Sequence, residues 1–216
     1  VHVTALSGED LKKTELYHAN AQRRQAQASF ADYNDYLRSL EMTATIRGFE
    51  GIYIQRIAQL TNKSNQFNLT TLRCSEDEIR AMAENPDWLC LYGKLADKFG
   101  DNGVVTVVAG EQQGETLHLR LWLMSCRVLK RGMEDAMMDC LVRDALARGV
   151  RQIIGYYYPT AKNGMVRDFY AGMGFAQAFP DRTHHLDAGR RRLSAQTAAY
   201  DDRTLISNSY RKEVPA

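Results

Sequence analysis

A chain of 216 residues with 44% hydrophobic and 25% charged side chains lies between one large domain and two small ones, and can bury about 70% of the surface its unfolded form exposes. Four prolines and a balance of 28 basic against 26 acidic groups, net +2, exclude a disordered or fibrous chain. They also give no charge bias toward nucleic acid or a membrane surface, so neither is expected as a partner.

Residues 9–40 are rich in Ala, Gln, Arg, Glu and Leu, with neither Gly nor Pro after Gly8, and predict one or two long helices, with Ser7 as a cap. Leu11, Tyr17, Ala21, Phe30, Tyr33, Tyr36, Leu37 and Leu40 do not make a self-contained core, so this piece is expected to pack on something else. IRGFEG, ending at Gly51, reads as a connector, and YIQRIAQLTNKSNQF as a short amphipathic helix. Ser75 and Glu78 have capping-box spacing ahead of a helix that ends near Asn85-Pro86.

Trp88–Asp97 reads as a strand or short helix, followed by the turn FGDNG, the β-rich GVVTVVA and a hairpin closed within Gly110–Gly114. In TLHLRLWLMSC, Leu117, Leu119, Leu121 and Leu123 alternate onto one face and His118, Arg120, Trp122 and Met124 onto the other. GMEDAMMDCLVRDALARG carries Met133, Met137 and Leu141 at helical spacing with Gly149 as terminator. RQIIGYYY predicts a strand, NGMVRDFYAGMG a short helix, FAQAF a strand, and Thr183–Leu186 a further strand. Beyond Asp187, the run Arg190–Arg192 and the polar stretch after it read as a peripheral tail.

No run approaches roughly 18 apolar residues, and VHVTALSGEDLKK lacks a signal peptide's pattern. Cysteines 74, 90, 126 and 140 have neither paired ligand spacing nor disulfide-scaffold density, which points to a reduced, cytoplasmic setting. Five histidines without a convergent cysteine or carboxylate set give no metal site.

The strand, turn and helix from Leu117 to Arg148 place CRVLKRG where amides at a helix start receive phosphate oxygens. Arg127, Lys130 and Arg131 add positive charge and Gly132 permits close approach, although an ordinary basic turn is the alternative. Together with PTAKNGMVRDFYAGMGF, this pattern resembles the acyl-coenzyme A cradle of the GCN5-related N-acetyltransferase superfamily. That superfamily's pyrophosphate motif is Gln or Arg, two residues, Gly, one residue, then Gly or Ala; Arg127, Lys130 and Gly132 stand at its positions, with lysine replacing the middle glycine. Asn163, Tyr170 and GMGF match its later features. The resemblance implies an α/β fold, a mixed sheet flanked by helices, here with an N-terminal helical extension.

A closer resemblance runs through YLRSLEM, IQRIAQLTNKSNQFNLTT, KFGDNGVV, LMSCRVLKRGME and PTAKNGMVRDFYAGMGF. These segments are similar to the acyltransferase-like C-terminal region of the bifunctional phosphatase/glyceryl-transfer proteins of polyketide biosynthesis, which link a phosphorylated three-carbon donor to an acyl carrier protein. The resemblance implies residues 1–50 as the end of a phosphatase-like region whose Asp-Xaa-Asp motif this sequence lacks, 52–187 as the acyltransferase-like domain, and 188–216 as the polar tail. It implies no tightly bound cofactor, but a pantetheine thioester of acyl carrier protein or coenzyme A as donor or acceptor.

Under this reading Cys126 is a thiolate nucleophile that takes the acyl group as a thioester. Arg127, Val128, Leu129, Lys130, Arg131 and Gly132 form the phosphate-facing cradle. Asn163 holds a pantetheine amide or orients its turn, and Tyr170 protonates a leaving thiolate or is a core aromatic. Asn65, Gln66 and Asn68, with Asn62 and Thr70 nearby, offer hydrogen bonds to a hydroxylated acyl chain or fold a turn on themselves. Of His184 and His185, which face opposite ways on a strand, His185 is the one assigned to substrate. The other hypotheses are acetyl transfer from acetyl-coenzyme A to an amine through Tyr170 alone, and a non-catalytic domain that docks a carrier protein.

Overall fold

The computed structural model describes residues 8–177, 194–198 and 211–212. Ser7, the strand expected over 183–186, His184, His185 and Arg190–Arg192 lie outside them. Helix α1 (Gly8–Ala28) and helix α2 (Tyr33–Ser39) form the expected helical extension. Asp32 starts α2 by accepting the N–H groups of Asn34 and Asp35, which satisfies amides that a helix start leaves unpaired. The extension is fastened to the rest, because Tyr36 and Leu40 belong to the main core cluster and Arg23 of α1 holds a buried carboxylate described below.

The connector reading of IRGFEG is corrected: strand β1 (Thr43–Gly48) uses its first three residues, pairing antiparallel with strand β2 (Trp88–Asp97). Helix α3 (Ile54–Lys63) buries Ile54, Ile57, Ala58 and Leu60 on one face, the spacing its apolar periodicity requires. Helix α4 (Glu76–Glu84) begins with the capping box read from Ser75 and Glu78: each side chain pairs with the other's backbone N–H.

Strand β3 (Gly100–Gln113) follows a tight turn and pairs antiparallel with β2 and with strand β4 (Thr116–Met124). Helix α5 (Met133–Ala147) and strand β5 (Gln152–Tyr157) come next, β5 running parallel to β4. The short helix expected in NGMVRDFYAGMG is a 3-10 turn over Gly164–Val166 followed by helix α6 (Phe169–Gly172). Strand β6 (Ala176–Gln177) then enters the sheet. The stretch read as a polar tail contributes two more strands: β7 (Ser194–Ala198), between β5 and β6, and β8 (Arg211–Lys212), beside β1. The strand order is β6-β7-β5-β4-β3-β2-β1-β8.

Helices cover both faces of this mixed sheet, as expected. Met133, Met137, Cys140 and Leu141 of α5 pack with Leu89, Leu91, Val105 and Val108 in one buried cluster. Ile57, Leu60 and Ile79 of α3 and α4 pack with Cys90, Tyr92, Val107 and Ala109 in the other. Each such fully buried aliphatic side chain contributes about 1.5–3 kcal/mol.

Strand β4 does not keep the face assignment its alternation predicts. Ala109 pairs with Leu121 and Gly110 with Leu119, leaving Arg120 as the extra residue of a β-bulge. A bulge shifts the pleat by one position. Leu117 and Leu119 therefore join the α5 cluster with Trp122 and Met124, while Leu121 and Leu123 join the α3/α4 cluster.

Candidate functional site

Strands β4 and β5 pair only from Thr116/Gln152 to Leu119/Gly155 and then part. Parted strands expose backbone groups that need partners, and here the loop between α3 and α4 supplies them. Leu69 N–H donates to the Trp122 carbonyl (3.0 Å), Met124 N–H to the Phe67 carbonyl (3.0 Å), and Tyr158 N–H to the Leu69 carbonyl (2.8 Å). Asn68 forms an antiparallel bridge with Leu123, so Phe67–Leu69 lies in the splay as a short strand. The Thr70 hydroxyl donates to the carbonyl of the bulged Arg120 at 2.8 Å.

Asn163 fastens this arrangement. Its Nδ2 donates to the Asn68 carbonyl at 3.0 Å and the Tyr158 carbonyl at 2.9 Å, and its Oδ1 accepts the Thr160 N–H at 2.7 Å. The side chain is fully buried, and it orients its own turn, the second of the two roles read from the sequence. Asn68 is also fully buried; its Oδ1 accepts the Thr71 N–H and its Nδ2 donates to the Ser64 carbonyl. It therefore folds the loop on itself.

Beside the filled splay lies a cavity of about 830 Å³. It brings together Cys126, Arg127, Asn65 and Gln66, four of the residues singled out in the sequence, with Arg56, Lys63 and Lys162. Cys126 sits just past the end of β4, in a 3-10 turn over Cys126–Val128, and is exposed, whereas Cys74, Cys90 and Cys140 are buried. Burial pushes the Cys74 thiol up to about 11 and the Cys90 thiol up to about 12, which keeps both as thiols.

Among the described residues no carboxylate lines this cavity, and none of Arg56, Lys63, Arg127 and Lys162 forms an ion pair with one. Burial and the nearby Arg127 guanidinium push Arg56 below the usual arginine value. Two guanidiniums held close enough to repel each other, with no anion between them, suit an anionic ligand. Arg56 donates to Gln59 at 2.6 Å and Arg127 to the Ser125 hydroxyl at 3.3 Å, neutral contacts that leave the positive charge uncompensated.

Sequence reasoning missed Arg56, Lys63 and Lys162. Arg56 and Lys63 are seven apart on α3, hence on one edge, and Lys162 adjoins the Asn163 that was singled out. Arg73 borders a smaller neighbouring cavity with Asn65 and Lys162. Its guanidinium holds the loop by donating to the Thr61 and Ser64 carbonyls and to Asn65 Oδ1.

The remaining cradle residues stand apart from this cavity. Val128 is fully buried and Leu129 packs against the main core cluster. Lys130 itself adopts the left-handed conformation (φ 61°) that the glycine of the motif would supply, at a strain on the order of 1 kcal/mol. The Tyr33 hydroxyl steadies it by donating to the Lys130 carbonyl at 2.8 Å. Gly132 caps α5 at φ 75°, the kind of position that favours glycine. Arg131 shares the fully buried Asp97 carboxylate with Arg23, at 3.3 Å and 2.6 Å. Burial raises the Glu134 carboxyl at the first turn of α5, against the pull of the backbone amides of Glu134 and Lys130, and its Oε2 is buried without a partner among the described residues.

Tyr170 lies in the core and not in a cleft. Its ring packs against Gly155, where a Cβ would overlap it, with Trp122, Phe169 and Phe175 around it. Burial pushes the phenol far above its usual value, with only the Tyr156 backbone pulling the other way. The hydroxyl makes no well-formed hydrogen bond among the described residues.

No protein-family model matches the sequence, nor does any curated protein. Solved structures do resemble the fold. The ribosomal-protein-S18-alanine N-acetyltransferase from Escherichia coli superposes with a TM-score of 0.55 at 14% identity, over 76% of this chain and 100% of that one. The PaiA N-acetyltransferase from Thermoplasma acidophilum in complex with coenzyme A gives 0.52 at 14% identity, over 73% and 99%. Ard1 from Thermoplasma volcanium gives 0.54 at 15% identity, over 73% and 97%. The chain has the GCN5-related N-acetyltransferase fold. At these identities the likeness carries the architecture, while the chemistry rests on the site itself. No helix among the described residues is long and apolar enough to cross a membrane.

Proposed function

We propose that this chain is an acyltransferase that carries a short acyl group, glyceryl in our reading, on Cys126 and passes it to the pantetheine thiol of an acyl carrier protein. The observation that supports it is an exposed cysteine in a cavity that, among the described residues, has four cationic side chains and no carboxylate. Arg56, Arg127, Lys63 and Lys162 attract an anionic donor and favour the negative charge that develops on its carbonyl oxygen. The Cys126 sulfur attacks the acyl carbonyl carbon, and a carbon–sulfur bond forms as the bond to the donor's leaving group breaks. The thiol proton passes to solvent, and the leaving group departs as an anion. In the second half the pantetheine sulfur attacks the Cys126 thioester and gives up its own proton, and Cys126 departs and regains one. Asn65 and Gln66, which line the same cavity, offer hydrogen bonds to the hydroxyls of a glyceryl chain. Helices α1 and α2 are, in this proposal, the exit from a phosphatase-like region.

A second reading is favoured by the solved neighbours, which are N-acetyltransferases, one of them in complex with coenzyme A: direct acetyl transfer from acetyl-coenzyme A to an amine, with Tyr170 as proton donor. The two readings rank the same pair of variants in opposite order. In a transfer assay Cys126→Ala is expected to lose about a thousandfold or more in turnover, and Tyr170→Phe to stay within about twofold. A Cys126→Ala enzyme at full rate beside a disabled Tyr170→Phe enzyme overturns the covalent reading.

A further inference from the structure

Resting on the acyl-transfer reading above, we infer that this chain excludes free coenzyme A: its own Phe67–Leu69 strand holds the place between β4 and β5 that an inserted pantetheine arm needs, so an acyl-bearing arm reaches Cys126 by way of the cationic cavity. A pantetheine arm carries two amides, and inserted between parted strands it would pair with their free backbone groups, as an added strand does. Here the Trp122 carbonyl and the Met124 and Tyr158 amides are already paired with Phe67 and Leu69.

The internal strand is secured from every side. Asn163 donates to the Asn68 and Tyr158 carbonyls, and Thr70 to the Arg120 carbonyl. Phe67 and Leu69 are buried, and Phe67 meets Phe169 edge to face at 5.1 Å. Withdrawal would break several buried hydrogen bonds and expose both apolar side chains, so the open form is rare. A ligand that needs it loses apparent affinity in proportion, on the order of a thousandfold or more.

The turn that would receive the diphosphate of coenzyme A points the same way. Arg131 is committed to Asp97, which Arg23 also grips. Glu134 and Asp135 place two carboxyls in the first turn of α5, where an incoming anion would need the helix end free. Lys130 is exposed, but its loop is held from below by Tyr33. The cationic cavity offers the other approach to Cys126, and Asn65, Gln66, Ala161 and Lys162 line it. That path takes an arm presented by a carrier protein, whose phosphate meets Lys63 and Lys162 and which brings no adenosine diphosphate to be housed.

The test titrates the full chain with coenzyme A by calorimetry and follows exchange of the Leu69, Met124 and Tyr158 amides by NMR. In parallel, Cys126 is acylated from an acyl-N-acetylcysteamine thioester, which has no nucleotide. The expected result is no saturable binding up to about 1 mM, unchanged protection at the three amides, and Cys126 acylation at a rate indifferent to added coenzyme A. Saturable binding below that concentration, or loss of protection at those amides when coenzyme A is added, overturns the inference. Coenzyme A without effect and the amides protected, but no adduct on Cys126, supports the closure and removes the acyl-transfer reading on which its use depends.

Discussion

Two neighbouring parts of the molecule differ in how their polar groups are satisfied. In the β4/β5 splay the backbone groups at the strand ends are paired within the chain, through Phe67–Leu69, Thr70 and Asn163. In the cavity beside it, four cations stand without a carboxylate among the described residues, and a cysteine is exposed. The first arrangement is what a folded chain does to remove unpaired groups from its interior. The second leaves charge uncompensated, which folding alone does not call for and which a ligand would resolve. On this physical ground we place the proposed chemistry in the cavity and not in the splay.

The difference is testable from both sides. The largest effect is expected from Asn163→Ala, which removes the donor to the Asn68 and Tyr158 carbonyls and the acceptor of the Thr160 N–H from the interior. A loss of about 3 kcal/mol or more in urea unfolding is expected; a loss below about 1 kcal/mol would show that the splay is not held by this side chain. Gly155→Ala drives a methyl group into the Tyr170 ring, itself hemmed in by Trp122, Phe169 and Phe175. Overpacking of this kind costs about 1–3 kcal/mol, readable as a lower unfolding midpoint.

On the cavity side, Arg56→Ala is expected to raise KM for an anionic donor about 10- to 100-fold while thermal stability stays near the parent's. An unchanged KM would separate the charge cluster from donor binding. The smallest effect concerns Glu134, whose folded pKa is raised by burial. A carboxyl raised in this way favours the fold below its unfolded value and loses that contribution as pH climbs through the folded value, where it must ionise in place. Glu134→Gln is therefore expected to raise the melting temperature at neutral pH and to leave it unchanged in acid, and a gain of equal size at both pH values would contradict the assignment.

Much of this architecture was legible because local signals agreed with the final fold. The capping box at Ser75 and Glu78, the helix over Met133–Ala147 and the strand from Thr116 each formed where composition and period placed them. What escaped depends on distant partners. The faces of β4 switch at Arg120 because of its pairing with Ala109 and Gly110 on β3, and no residue in the strand announces a bulge. TATIRG is too short and too polar to declare itself a strand, and becomes one by pairing with β2. Tyr170 reads as a proton donor by position, yet a glycine fifteen residues earlier opens a berth for its ring in the core.

The lining of the candidate cavity was legible in part. Cys126 and Arg127 follow directly from a strand that ends before a helix, and Asn65 and Gln66 from a polar loop, and these four share the cavity. Arg56, Lys63 and Lys162 join them only because α3 and the segment after β5 converge on the end of β4. Asn68 and Asn163, polar residues in polar runs, proved to be the internal fastening of the splay, and only their burial tells the two cases apart.

The most direct measurement is intact-protein mass followed by peptide mapping after exposure of the chain to an activated short acyl donor. The account expects a single acyl adduct, mapped to Cys126, discharged by a free pantetheine thiol, and absent from Cys126→Ala. The absence of any adduct on a chain that still catalyses transfer, or the same adduct on Cys126→Ala, would contradict it.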